Sequence, residues 1–271
     1  MRLASPPGTC AVRLQGCRRS FRTPDGGVYV ALDGVDLEVR AGEFVALVGP
    51  TGCGKSTLLN LVAGLLQPDA GRVEVFGSPL EGINRRASYL FQQDVLLPWK
   101  TAEENVMLGL VFRRVPREEA RRQARAWLER VGLRGFENRY PHQLSGGMRK
   151  RVALAQNLIV NPEILLMDEP FAALDVQTRQ LMENDLLRIW QEERKTVLFV
   201  THDLEEAIAL SDRVVVLSAG PAARPVGEFP VELPRPRDVT EVRLDPAFGE
   251  LFRRIWELLR GEVLRAFRLA P

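Results

Sequence analysis

Gly49-Pro50-Thr51-Gly52-Cys53-Gly54-Lys55-Ser56 fits the phosphate-binding pattern Gly-x-x-x-x-Gly-Lys-Ser/Thr, the P-loop or Walker A motif. Its flanks carry the reading. Phe44-Val45-Ala46-Leu47-Val48 ahead of it is a short apolar run, the pattern of a buried strand. Ser56-Thr57-Leu58-Leu59-Asn60-Leu61-Val62-Ala63 behind it reads as the start of a helix. The glycines therefore fall on a strand-to-helix turn. Backbone N–H groups and the positive end of the helix dipole converge there and favour an anion. Glycine lets the backbone curl round that anion without a Cβ clash. The segment Gly49, Pro50, Thr51, Gly52, Cys53, Gly54, Lys55, Ser56 and Thr57 is thus expected to cradle a nucleotide. Lys55 is assigned to the β- and γ-phosphates and the Ser56 hydroxyl to Mg²⁺.

Outward from this loop the chain alternates strand and helix. Upstream, Val12-Arg13-Leu14-Gln15 reads as an edge strand, and Val28-Tyr29-Val30-Ala31-Leu32 and Val35-Asp36-Leu37-Glu38-Val39 as two more strands. Downstream, Arg72-Val73-Glu74-Val75-Phe76-Gly77 reads as another edge strand, and Ala87-Ser88-Tyr89-Leu90-Phe91 as an apolar one. From Thr101-Ala102-Glu103-Glu104, an N-cap with an acidic first turn, the character is helical until about residue 160. Ile164-Leu165-Leu166-Met167, Thr196-Val197-Leu198-Phe199-Val200 and Val214-Val215-Val216-Leu217 resume the strands. The expected fold class is α/β, with a parallel sheet that binds its ligand at the strands' C-terminal edge. Four segments follow: 10–93, the first part of a nucleotide-binding α/β core; 94–160, a helical subdomain; 161–220, the second part of the core; and 221–271, a proline-rich connection and an amphipathic helix. Phe248, Leu251, Phe252, Ile255 and Leu259 form that helix's apolar stripe. The stripe docks on this chain, on a second copy or on a membrane-bound partner.

Four side chains at strand ends join the loop. Asp168 ends an apolar strand, the place for a carboxylate that holds Mg²⁺ through water. Glu169 follows and is suited to orient or deprotonate an attacking water. Gln92 is expected to ligate the metal or the water by its amide oxygen, and His202 to hydrogen-bond the γ-phosphate. Singly each is also an ordinary polar cap; together with a P-loop they form one catalytic set of Lys55, Gln92, Glu169 and His202. Phe21 and Tyr29 precede the loop, and either is able to stack on adenine or to serve as a core or edge aromatic.

Leu144-Ser145-Gly146-Gly147-Met148 opens a helix and resembles the signature motif of ATP-binding cassette (ABC) ATPases. Ala172-Ala173-Leu174-Asp175 resembles that family's D-loop, and Val200-Thr201-His202-Asp203 its switch histidine. Phe21 matches its adenine-stacking aromatic by position. The resemblance runs from about residue 10 to 220. It implies a RecA-like P-loop NTPase core with an antiparallel β edge and an inserted helical subdomain. It also implies a head-to-tail dimer in which Ser145, Gly146 and Gly147 face the ATP held by the other copy, with Asp175 beside the nucleotide. Met148 stands where the family usually has glutamine, and Phe21 where tyrosine or tryptophan is usual. Physically, Ser145-Gly146-Gly147 at a helix N-terminus is a second anion site. Phe91-Gln92-Gln93-Asp94-Val95-Leu96-Leu97-Pro98-Trp99 resembles the Q-loop of bacterial importer ATPases for nitrate, sulfonate and taurine-like solutes. By that likeness the partners are transmembrane permease subunits and, indirectly, an extracytoplasmic solute-binding protein. The place is the cytoplasmic face of the cell membrane, peripherally bound. Val95, Leu96, Leu97 and Trp99 either dock the permease or pack within the helical subdomain.

Composition limits the alternatives. The 271 residues are 45% hydrophobic and 27% charged, with a formal net charge of +2. Such a chain is an ordinary globular protein with room for a core and no polyelectrolyte character, so no nucleic-acid partner is expected. Cys10, Cys17 and Cys53 make neither a disulfide framework nor a metal-ligand spacing. The start, residues 1–8, lacks the apolar stretch of a signal peptide, and no apolar run approaches the roughly 18 residues of a membrane span. The rival class is a soluble ABC-type ATPase acting as a nucleotide-gated regulator or on nucleic acid or ribosomes. Against it stand the charge balance and the lack of a long coiled coil or basic arm.

Overall fold

The structure, a computed structural model, describes residues 8–269; the stretch weighed against a signal peptide lies, but for Gly8, outside them. In chain order the elements are β1 (Cys10–Arg22), β2 (Val28–Arg40), β3 (Phe44–Val48), α1 (Lys55–Ala63), β4 (Ala70–Val75), β5 (Ser78–Pro79) and β6 (Ala87–Leu90). Then come α2 (Ala102–Val106), α3 (Leu108–Phe112), α4 (Arg117–Arg130), α5 (Gly146–Leu158), β7 (Ile164–Asp168), α6 (Val176–Glu193), β8 (Thr196–Val200) and α7 (Leu204–Leu210). The chain closes with β9 (Arg213–Leu217), β10 (Pro225–Pro230), α8 (Val239–Val242) and α9 (Pro246–Leu269).

The strand that feeds the P-loop is the middle of everything. β3 is buried along its whole length and pairs in parallel with β8 on one side and β9 on the other. The sheet runs β10-β9-β3-β8-β7-β6, and only β10 is antiparallel. A strand covered on both faces reads as a continuous apolar run, which is why β3, β7, β8 and β9 were legible. The two-residue period of a strand sorts their side chains to opposite faces. Phe44, Ala46 and Val48 join Phe199, Met167 and the helices from α2 to α9 in one core. Val45 and Leu47 join Leu198, Leu166, α1 and the antiparallel sheet in another.

That second sheet is ordered β2-β1-β4-β5. It corrects the sequence reading in two ways. β1 is no edge strand, since β2 and β4 flank it, and β4 is covered by the two-residue β5. The two strands expected around Asp33-Gly34 are one strand. Gly34, at φ 63°, takes the bend within β2 while pairing with β1 continues past it through register shifts. The edge pattern was misleading because one face of β1 is only half buried.

The helices α2 to α5 fall between β6 and β7. Thr101 and Glu104 form the reciprocal cap that opens α2. Ala120, Ala124 and Leu128 are the buried side of α4. The proline-rich connection, expected as a surface segment, contains β10, with Pro225 and Pro230 at its two ends, where a missing N–H is tolerated. It also brings in Arg237, which is buried and donates to the carbonyls of Ile208, Ala209 and Ser211 at the end of α7 and of Val231 and Leu233. The tail stripe docks on its own chain. Phe248, Leu251, Ile255 and Leu259 are buried in the first core, beside α7 and β9, with Phe252 half buried.

Candidate functional site

β6, β7, β8 and β3 run in parallel, so their C-terminal ends share one sheet edge. The P-loop leaves β3 there. Gly54 precedes α1 at φ 98°, and no side chain caps the helix. The first amides of α1 are therefore free of a built-in acceptor, as an anion site requires. Lys55 is buried, and its Nζ donates to Gly49 O at 2.8 Å and Pro50 O at 3.0 Å. Its third hydrogen is directed to Cys53 Sγ at 4.0 Å, the longest of the three contacts. Cys53 turns its thiol into the second core, where burial pushes its pKa up. Its backbone N–H donates to Pro50 O at 3.2 Å, so this residue shapes the loop from within.

Ser56 Oγ donates to Asp168 Oδ1 at 3.1 Å, and the Tyr89 hydroxyl donates to Asp168 Oδ2 at 3.2 Å. Burial raises the Asp168 pKa, and these two hydrogen bonds oppose the rise. Glu169 follows with a backbone φ of 44°, a left-handed conformation that costs a non-glycine residue about 1–3 kcal/mol. Its N–H is held by Val200 O at 2.9 Å. Glu169 Oε2 accepts from Gln92 Nε2 at 3.3 Å and lies 3.1 Å from His202 Nδ1. Three strand ends thus deliver one carboxylate between an amide and an imidazole, one residue from the carboxylate that meets the P-loop serine.

Among the described residues no cluster of three or more His, Cys, Asp or Glu side chains could hold a metal. Ser56 and Asp168 supply two oxygens. That set suits a hard cation that takes its remaining ligands from phosphates and water, as Mg²⁺ does.

Ser145 caps α5, its Oγ accepting from Met148 N–H at 3.3 Å, and Ser145 and Gly146 are exposed. Gly147 packs so closely that an added Cβ would lie 2.6 Å from the Thr178 methyl. Met148 is partly buried against the first core. Asp175 caps α6 by accepting from Thr178 N–H at 3.0 Å, which lowers its pKa. Arg179 then donates to Leu174 O at 3.1 Å and to Asp203 at 3.4 Å, tying the loop of Asp175 to that of His202. Phe21 and Tyr29 are partners directly across β1 and β2. Arg19 lies over the Phe21 ring at 5.1 Å, and the Tyr29 hydroxyl donates to Gly52 O at 3.3 Å. Both rings are 37% exposed.

Sequence reasoning missed Tyr89. Its one signal is a phenol in a strand read as buried, since a buried phenol needs a partner. It also missed a pair of buried acids behind His202. Glu206, on α7, accepts from the Thr201 hydroxyl, and the fully buried Glu183 lies beside it, with Arg243 at 3.6 Å. Burial raises both carboxyl pKa values, the Glu183 charge raises that of Glu206 further, and a hydrogen bond with Glu206 only partly offsets the rise at Glu183, so the pair keeps a proton at neutral pH. Both titrate near 4.5 when unfolded. Between about 4.5 and about 8 the folded chain therefore holds a proton that the unfolded chain releases, and stability falls as pH rises through that window. Glu206→Gln should flatten the dependence by roughly 2 kcal/mol, read from urea unfolding at about pH 6 and about pH 8.5.

Residues 32–172 match the family model for the ABC transporter domain. The chain is 47% identical over 244 residues to an uncharacterized ABC transporter ATP-binding protein of Methanocaldococcus jannaschii, covering 90% of each. It is 45% identical over 237 residues to a nitrate import ATP-binding protein of Synechococcus elongatus, covering 86% of this chain and 85% of that one. Among solved structures, a dimeric ATP-binding cassette in a post-hydrolysis state with ADP and Pi aligns at a TM-score of 0.73 and 34% identity. The alignment covers 82% of this chain and 99% of that one.

Proposed function

The chain belongs to the ABC transporter family, and from that premise we propose that it is the ATP-hydrolysing subunit of an importer for a small anionic or sulfonate-like solute. The observation that carries the chemistry is the convergence of Glu169, Gln92 and His202 beside the Ser56–Asp168 pair. Lys55 and the uncapped amides of α1 bind the phosphates. Ser56 and Asp168 would hold the Mg²⁺, which would supply positive charge against the phosphates. Glu169 accepts a proton from the attacking water, while Gln92 and His202 fix the carboxylate's direction. Phe21, with Tyr29 beside it, offers the adenine a flat face.

Ser145, Gly146 and Gly147 complete the site of a second copy, so ATP joins two chains head to tail and its hydrolysis releases them. The solved dimeric cassette supports that assembly. Among the described residues no helix is long and apolar enough to cross a membrane. Membrane work therefore falls to permease subunits, with an extracytoplasmic solute-binding protein upstream and this chain at the cytoplasmic face. The nitrate-importing relative supports the anionic solute.

The permease contact is the loop after Gln92. Trp99 is 70% and Val95 61% exposed, whereas Leu96 packs against the first core. A tagged subunit is expected to capture a membrane permease from detergent-solubilised membranes of its source. Trp99→Ala is expected to weaken that capture at least about tenfold, as loss of a central aromatic does, with ATP turnover of the isolated chain within about twofold. Undiminished capture would move the contact elsewhere.

A further inference from the structure

The loop offered to the permease and the helix offered to the twin's nucleotide are wired together. Lys150, on α5, is only 4% exposed. Its Nζ donates to Gln92 O at 2.6 Å and pairs with Asp94 Oδ1 at 2.9 Å. The neighbouring Arg149 lies 3.5 Å from the other Asp94 oxygen and donates from Nη1 to Leu144 O at 2.8 Å. Leu144 is the residue before Ser145. One carboxylate thus links the backbone of Gln92 to the tip of α5 through two consecutive basic side chains. The far end of the loop is fastened as well. The fully buried Asn105, on α2, accepts from Leu97 N–H at 2.8 Å and donates to the carbonyls of Leu97, Lys100 and Thr101.

We propose that Asp94, Lys150 and Arg149 are positioning residues that set Ser145-Gly146-Gly147 over the twin's nucleotide according to the position of residues 92–99. Two physical points carry this. A buried ammonium is tolerated only where its charge and donors are met, and both of the Lys150 contacts lie on this loop. A hydrogen bond at Gln92 and a close ion pair at Asp94 restrain rotation as well as separation. A shift of the loop then moves the first turn of α5 instead of being absorbed by slack. The exposed Trp99 and Val95 lie on the same loop, so pressure from a docked partner reaches Ser145 through three side chains. The proposal rests on the ATP-joined dimer described above, and it adds the route by which docking and closure are coupled.

The test uses Lys150→Met and Asp94→Asn, each made in the full chain and again with Glu169→Gln. Two readouts separate the coupling from the assembly. Amide exchange at Met148 and Arg149, whose N–H groups are bonded to Ser145, is read in the nucleotide-free monomer and needs no dimer. It should quicken at least about fivefold in both variants, because the tip is no longer held. Dimerisation with Mg-ATP in the Glu169→Gln background, read by sedimentation, should weaken at least about tenfold. Binding of a fluorescent ATP analogue by the monomer should stay within about twofold, since the P-loop is untouched. Asp94→Asn keeps the side chain's shape, so it guards against a Lys150 variant that fails to fold, and Lys150→Arg should recover most of the dimerisation. Unchanged exchange at Met148 and Arg149 in folded Asp94→Asn would overturn the proposal whether or not the parent dimerises. An equal loss of monomer nucleotide binding would also overturn it, because the effect would then not run through the tip. A Glu169→Gln parent that stays monomeric while exchange quickens would support the linkage and overturn the dimer reading alone.

Discussion

Glu169→Gln is expected to lower ATP turnover by about a thousandfold, the range for removing a general base from a positioned site. The substitution is close to isosteric. Its amide can still meet Gln92 Nε2 and His202 Nδ1, which lie 3.3 and 3.1 Å from the native carboxylate. The strained backbone at φ 44° is anchored by the Val200 carbonyl and not by the side chain. Geometry therefore survives while the proton acceptor is lost. The groups proposed to hold Mg-ATP, namely Lys55 and the α1 amides for the phosphates and Ser56 and Asp168 for the metal, are untouched, so Mg-ATP should bind as tightly as before. A bound nucleotide that is not consumed accumulates the closed assembly, and the variant should sediment as a dimer with Mg-ATP and as a monomer without it. Phosphate release near the native rate would remove Glu169 from its role. Identical sedimentation with and without Mg-ATP would remove the second copy from the site.

What sequence revealed and what it hid follow one division. Strand ends are legible because an apolar run announces a strand and the next polar residue marks its C-terminal end. Gln92, Asp168, Glu169 and His202 were all found that way, and parallel pairing of β6, β7, β8 and β3 puts them on one edge. Local punctuation was less faithful. Asp33-Gly34 lies between what read as two strands, yet β2 runs through it because β1 continues to pair beyond the bend. The prolines of residues 221–236 read as surface, yet they bracket a strand and bring Arg237 under α7. Contacts between side chains of different elements have no period to detect. Tyr89 on Asp168, Lys150 on Asp94 and Glu183 beside Glu206 are of this kind. In each a polar residue lies on a half-buried or buried face and needs a partner, but only the fold says which.

Gly146→Asp should leave the monomer intact and abolish the assembly. Gly146 is the first residue of α5, is exposed and lies outside the left-handed region. An added Cβ would have the Arg149 guanidinium, at 3.8 Å, as its nearest neighbour, an ordinary contact beside a cation. A carboxylate in the first turn of a helix also meets the positive end of the dipole, worth about 0.3–1 kcal/mol. Thermal stability is therefore expected to hold or rise slightly. The same carboxylate occupies the place assigned to a triphosphate from the other chain. Like charges brought together in an interface cost several kcal/mol, and a head-to-tail dimer meets that cost at two sites. In the Glu169→Gln background the ATP-driven dimer should weaken by at least about a hundredfold, and in the native background turnover should fall in parallel, since the P-loop side alone does not complete the site. Gly146→Ala, which adds bulk without charge, should show a much smaller effect and so separates repulsion from crowding. Stability kept while dimerisation and turnover are lost together is what identifies the tip of α5 as an interchain phosphate site. A site within one chain would lose turnover without losing dimerisation, and a merely structural helix cap would lose stability first. If the Asp variant dimerises and hydrolyses like its parent, the ATP-joined dimer falls, while the P-loop and the strand-end carboxylates keep their assignment.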